Sequence, residues 1–110
     1  MNKKIEKLSI VIPAYNEGPT IHFILDKLKQ VSLLENISKE IIIVNDCSKD
    51  NTEEAIKNYI ENNPELNIQY YKHEINKGKG AALHTGIMKA TGEYLIIQDA
   101  DLEYDPEEYN

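Results

Sequence analysis

Arginine is missing from the chain. All twelve basic residues are lysines, and nineteen Asp and Glu outnumber them for a net charge of −7. That balance excludes a general nucleic-acid binder, which needs a basic face. Cysteine is almost missing too: Cys47 stands alone. It can form neither an intramolecular disulfide nor a cysteine-based zinc site, and it reads as structural. No apolar run approaches the ~20 residues of a membrane span. The opening MNKKIEKL is basic but lacks the apolar core of a signal peptide. The expectation is a cytoplasmic protein. Repeats, low-complexity stretches and linkers are also lacking.

What is present is one domain's worth of chain, 110 residues, long enough to bury roughly two-thirds of its unfolded surface. Two periodicities alternate along it. Leu8–Ala14 (LSIVIPA) and Glu40–Val44 (EIIIV) are short, β-branched apolar runs that read as buried strands. Tyr94–Ile97 (YLII) reads likewise, and Asn67–Tyr71 (NIQYY) as a weaker strand nearer an edge. Between the first two runs, Pro19 suits a first helical position, and Ile21, Ile24, Leu25 and Leu28 recur at helical spacing. Asp50 and Glu53 resemble a capping box ahead of a stripe of Ala55, Ile56, Tyr59 and Ile60. A third helix is expected over Lys79–Ala90, closed by Gly92.

The order β-α-β-α-β-α-β, with strands apolar on both faces, predicts an α/β fold. Its architecture is three-layer α/β/α around a mostly parallel, Rossmann-like sheet. In such sheets ligands sit beyond the carboxyl ends of the strands, where strand order reverses. Four segments occupy those ends.

After the last strand, Asp99 and Asp101 are spaced i, i+2 and can share one side of an extended chain. Two adjacent carboxylates repel unless a cation lies between them. All-oxygen ligation favours Mg²⁺ or Mn²⁺, with Glu103 as a third ligand. The plainer alternative is a solvated acidic loop. After the first strand, Pro13 lacks an N–H and should end the ladder. Tyr15 offers a stacking face and Glu17 a hydrogen-bond acceptor for a nucleoside, unless PAYNEG is only a polar turn. After the second strand, Asp46 lies too early to cap a helix and can accept the imino N–H of a uracil or guanine ring; Ser48 and Asp50 read as capping residues. After the third, NKGKG lacks the Walker spacing, since Ala81 stands where Ser or Thr is needed. Its glycines suit a tight entry into the next helix, and Lys77 or Lys79 can face a pyrophosphate or water. His22, His73 and His84 show no ligand spacing.

Taken together, SIVIPAYNE, IIIVNDCSKDNT and NKGKGAALHTGIMKATGEYLIIQDADLEYDP resemble the N-terminal half of a family 2 glycosyltransferase of the GT-A fold, nearest the dolichyl-phosphate mannosyltransferase and polyprenyl-phosphate glycosyltransferase group. The resemblance runs from Ser9 to Pro106. It implies that Pro13, Tyr15 and Glu17 line the nucleotide pocket and that Val44 and Asp46 contact the base. It implies that Asp99, Ala100 and Asp101 hold the nucleotide-sugar diphosphate. Asp99, Asp101 and Glu103 would act through Mg²⁺ or Mn²⁺, with Asp101 the catalytic member. The donor would be a UDP- or GDP-sugar, transferred with inversion, and the acceptor a lipid phosphate at the membrane face or a glycan.

Two features depart from the family pattern. Asn45-Asp46-Cys47-Ser48 stands where Asp-Asp-Gly-Ser is usual. Asn45 loses a charge but keeps an acceptor, and Cys47 is strained if its position needs positive φ, at a cost of about 1 kcal/mol or more. The acceptor half of the family is also missing. Asp105, Pro106, Glu107 and Glu108 read as a helix start that has two residues after it. The chain is therefore expected to be a donor-binding half with negligible transfer activity alone, and a bared sheet flank would favour a homodimer. A sugar nucleotidyltransferase would want a glycine-rich basic loop after the first strand, which PAYNEG is not. A non-catalytic nucleotide-sugar-binding or self-associating module is the other alternative.

Overall fold

The computed structural model describes residues 7–34 and 38–99. The elements alternate as expected: β1 (Lys7–Ala14), α1 (Ile21–Leu34), β2 (Ser38–Asn45), α2 (Thr52–Asn62), β3 (Ile68–Lys72), α3 (Lys79–Lys89) and β4 (Tyr94–Ile97). The four strands form one parallel sheet in the order β3-β2-β1-β4. β1 and β2 run in register from Lys7 opposite Ser38 to Ala14 opposite Asn45.

Strand alternation divides the sheet into two faces. On one, Ile10, Ile12 and Ala14 of β1 and Ile41 and Ile43 of β2 pack against Ile21, Ile24 and Leu25 of α1 and Ile56 and Tyr59 of α2. On the other, Ile42 and Val44 pack against Ala82 of α3. Gly86 lets that helix close onto β1: a Cβ there would lie 2.3 Å from a methyl of the buried Val11. The outcome is the expected three-layer α/β/α arrangement. The chain steps from β1 through β2 to β3 in one direction, then places β4 on the far side of β1. Strand order therefore reverses between β1 and β4, and the crevice at their carboxyl ends is the expected ligand position.

Four local readings need correction. β4 is not buried: Tyr94 is 60% exposed and Leu95, the least exposed of its residues, 39%. Its apolar run resembles that of β2, but it pairs only with β1 among the described residues, and an apolar run does not report what covers it. Pro13 does not end the ladder. β1 continues through Ala14, whose carbonyl accepts from Asp46 N–H at 2.9 Å. The missing donor is tolerated because the pairing with β4 covers only Leu8–Val11. The capping box does not form, because Asn51 occupies the cap position with no side-chain bond. Asp50 instead accepts from Thr52 N–H at 2.9 Å and from the Thr52 hydroxyl, while Glu53 pairs with Lys57 at 2.9 Å and Lys72 at 2.8 Å. Gly92 is not a left-handed cap. Helix α3 ends at Lys89 with Ala90 as its C-cap, and Gly92 is needed because a Cβ would meet the Lys7 carbonyl at 2.6 Å.

Candidate functional site

The loop after β1 is stitched to the loop after β2. Asn16, at φ 56°, accepts from Lys49 N–H through Oδ1 at 2.8 Å and donates its own N–H to Ser48 Oγ at 2.9 Å. Glu17 N–H donates to Thr52 Oγ1 at 2.7 Å and Gly18 N–H to Asp50 at 3.1 Å. Burial pushes the Asp50 carboxyl up, and its bonds to Thr52 and Gly18 outweigh that, holding it below the usual range. Asn45 keeps the acceptor role expected of it: Oδ1 takes the Ser48 hydroxyl at 2.6 Å and N–H at 3.0 Å, and its amide donates to the Tyr70 hydroxyl. Cys47 does adopt the left-handed conformation, at φ 59°, with Sγ–H directed to the Glu74 carbonyl.

Asp46 lies just past β2, on the same side of the strand as Ile42 and Val44, and its side chain is nearly buried. Oδ1 accepts from His73 Nδ1 at 2.8 Å and from Lys77 N–H at 2.9 Å; Oδ2 accepts from Gly78 N–H at 2.8 Å. Burial alone would raise this carboxyl. The N–H of Lys77, the imidazole of His73 and the N–H of Gly78 outweigh burial and lower it, so Asp46 is ionised at neutral pH. His73 Nε2 in turn meets Thr85 Oγ1 of α3 at 2.8 Å. A buried chain of bonds thus runs from the tip of β2 to the middle of α3. The loop between His73 and α3 is shaped around the carboxylate, and Gly78 takes φ 96°, which a side chain would strain.

These strand ends enclose a cavity of about 320 Å³ lined by Pro13, Ala14, Tyr15, Glu17, Asp46, Asn76, Gly78, Lys79, Ala82 and Asp99. Tyr15 presents a 40% exposed ring. At the mouth, Lys79 Nζ lies 2.6 Å from Asp99 Oδ2. Of the residues the sequence pointed to, Pro13, Tyr15, Glu17, Asp46 and Asp99 meet here. Val44 does not line the cavity; it is fully buried behind it, against Ala82. Ala100, Asp101 and Glu103 lie outside the described residues. Among those described, no group of three or more His, Cys, Asp or Glu could hold a metal. His73 and Thr85 carried no functional signal in the sequence, and only the neighbouring NKGKG hinted that this loop matters. No helix among the described residues is long and apolar enough to cross a membrane.

A family model described as Glycosyl transferase family 2 matches residues 9–110. The chain is 40% identical over 101 residues to a dolichyl-phosphate beta-glucosyltransferase of Dictyostelium discoideum, covering 86% of this chain and 30% of that protein. Among solved structures it is similar to the mannosyltransferase PcManGT of Pyrobaculum calidifontis in complex with GDP-Man and Mn²⁺. The TM-score there is 0.79 at 30% identity, over 89% of this chain and 28% of that one. It is also similar to S. aureus TarS 1-349 in complex with UDP-GlcNAc, at TM-score 0.74 and 27% identity, over 86% of this chain and 26% of that one. The chain spans less than a third of the length of each of these three proteins.

Proposed function

Because this chain belongs to glycosyl transferase family 2 and has the parallel α/β sheet of GT-A glycosyltransferases, we propose that it binds a nucleotide-diphosphate sugar as the donor-binding part of an inverting glycosyltransferase. The observation that carries this reading is convergence. Residues from three separate strand ends, Tyr15 and Glu17 after β1, Asp46 after β2 and Asp99 after β4, line one cavity beside the reversal of strand order.

Each has a role suited to its chemistry. The exposed Tyr15 ring is a stacking surface for a base. Asp46, held ionised and nearly buried, accepts an N–H from the base edge. Glu17, to which the Thr20 hydroxyl donates at 2.7 Å, offers acceptors toward the ribose. Lys79, at the first position of α3 and facing Asp99, sets a cation beside the diphosphate end. Among the described residues that line the cavity there is no Cys or His. The group there able to ligate at the mouth is the Asp99 carboxylate, beside the Lys79 ammonium, and oxygen ligation fits a hard divalent ion completed by phosphate and water. Asp99, with Asp101 and Glu103, would hold Mg²⁺ or Mn²⁺. When bound, the ion would neutralise charge on the departing diphosphate. The similarity to a dolichyl-phosphate glucosyltransferase supports a lipid-phosphate acceptor, and the family's inverting chemistry fits direct attack on the anomeric carbon.

Isothermal titration of UDP-glucose, UDP-GlcNAc and GDP-mannose with Mn²⁺ or Mg²⁺ tests the reading. Saturable, metal-dependent binding of at least one is expected, weakened about tenfold or more in Tyr15→Ala, since stacking on a base contributes ~1–3 kcal/mol. Absence of binding to all three by a folded chain overturns it.

A further inference from the structure

The bonds around Asp46 limit what a ligand can still offer it. An ionised carboxylate has about four lone-pair sites, two on each oxygen. On Oδ1 both are taken, by His73 Nδ1 at 2.8 Å and Lys77 N–H at 2.9 Å. On Oδ2 one is taken, by Gly78 N–H at 2.8 Å. A single acceptor site therefore remains on a side chain that is 4% exposed and borders the cavity. Nor is the carboxylate free to turn. His73 is itself buried and fixed from behind by Thr85 Oγ1 at 2.8 Å, and the other two donors are main-chain groups.

We propose that this clamped carboxylate selects the base of the bound nucleotide, accepting uracil and disfavouring guanine, with His73 as the positioning residue that enforces the choice. The proposal rests on reading the cavity as the nucleotide site. Uracil presents one in-plane donor, N3–H, flanked by two carbonyl acceptors: one donor for one free acceptor. Guanine presents N1–H and N2–H side by side, a pair that a carboxylate satisfies best with both oxygens. Oδ1 has no site left to give, so the second guanine donor goes unpaired at this contact. Cytosine and adenine are poorer still, because each sets a ring-nitrogen lone pair where the carboxylate needs a donor. Discrimination by an unpaired buried polar group is commonly large, because the group loses water and gains nothing.

The test is equilibrium binding of UDP, GDP and CDP to the full 110-residue chain at fixed Mn²⁺. UDP is expected to bind at least about tenfold more tightly than either of the others. His73→Phe releases one site on Oδ1, so the UDP:GDP ratio is expected to fall toward unity. Thr85→Val, which removes only the hydroxyl behind the imidazole, is expected to lower the ratio in the same direction and by less. Circular dichroism and thermal melting identify which variants are folded. GDP binding as tightly as UDP in the unaltered chain overturns the base assignment while leaving the nucleotide site standing. No binding of any nucleotide by the folded chain overturns both. An unchanged UDP:GDP ratio in a folded variant overturns the role of His73.

Discussion

Strand β2 carries a buried carboxylate at each end of the side that faces α3. Glu40 stands at the amino end, Asp46 just past the carboxyl end, and Ile42 and Val44 lie between them at strand spacing. Both pin the chain on either side of α3. Asp46 holds the loop that enters the helix, through Lys77 and Gly78 N–H. Glu40 holds the segment that leaves it, through Thr91 N–H at 2.6 Å and the Thr91 hydroxyl at 3.1 Å. Around Glu40, however, every direction is filled. The Ser9 hydroxyl donates at 2.6 Å, Gln69 Nε2 at 3.1 Å, and Lys7 Nζ lies at 3.4 Å. Asp46 takes three donors, keeps one acceptor site, and borders a cavity. Burial and charge are alike at the two ends; the difference is an acceptor site left unfilled beside a cavity, and the binding role proposed for Asp46 rests on that difference.

Removing Glu40 tests that contrast with the largest expected effect. Glu40→Ala leaves the Thr91 N–H and the Ser9 hydroxyl without their acceptor, and should cost about 2–5 kcal/mol in denaturant unfolding. In the fraction that remains folded, nucleotide affinity should stay unchanged. A folded Glu40→Ala chain that has lost nucleotide binding would erase the distinction between the two ends.

Acid should produce the next largest change. Burial pushes the Glu40 carboxyl up, but the Ser9, Thr91 and Lys7 contacts outweigh this and bring it from an ordinary 4.5 down to about 2. The folded value is the lower one, so the unfolded chain takes up the proton first. Stability from this group is complete above the ordinary value and is lost as pH falls from there through about 2, in total on the order of 3 kcal/mol. Asp46 and Asp50 are lowered as well and add in the same direction. Urea midpoints at pH 7, 5 and 3 should decline most steeply over the last interval. Glu40→Gln should flatten that decline.

Gly92→Ala addresses the amino end by sterics alone. Its Cβ would meet the Lys7 carbonyl at 2.6 Å and the Ser9 nitrogen at 2.9 Å, both main-chain atoms with little room to move. A cost of about 1–3 kcal/mol is expected, with nucleotide binding spared. The smallest effect is expected at the carboxyl end. Cys47→Gly relieves a left-handed side chain at φ 59° but frees the unfolded chain and loses the contact to Glu74. The net gain should be within about 1 kcal/mol, with a small rise in melting temperature. A clear loss of stability would show that the Cys47 contact outweighs its strain.

Much of the fold was legible because its signals are local. Strand runs and helical stripes placed all seven elements to within a few residues, and parallel pairing followed from their order. Tyr15, Glu17, Asp46 and Asp99 were legible because each stands just beyond a strand, and a parallel sheet sends every strand's carboxyl end to the same edge. β4 misled, since its sequence looks like that of a buried strand while its exposure depends on what packs over it. Glu40 escaped notice inside EIIIV, where a single carboxylate in an apolar run gave no hint of Ser9 or Thr91. His73 was passed over because a histidine's partner need not be near it in sequence.

By itself the sequence determined the order of elements, the parallel sheet and the edge at which ligands should gather. Backbone periodicity and side-chain apolarity act over a few residues and need no knowledge of the rest of the chain. Only the tertiary structure decided which donors each carboxylate meets. Glu40 meets Thr91 across 51 residues and Asp46 meets His73 across 27. A lone pair left open or filled is a matter of which distant donor arrives, and packing in three dimensions sets that.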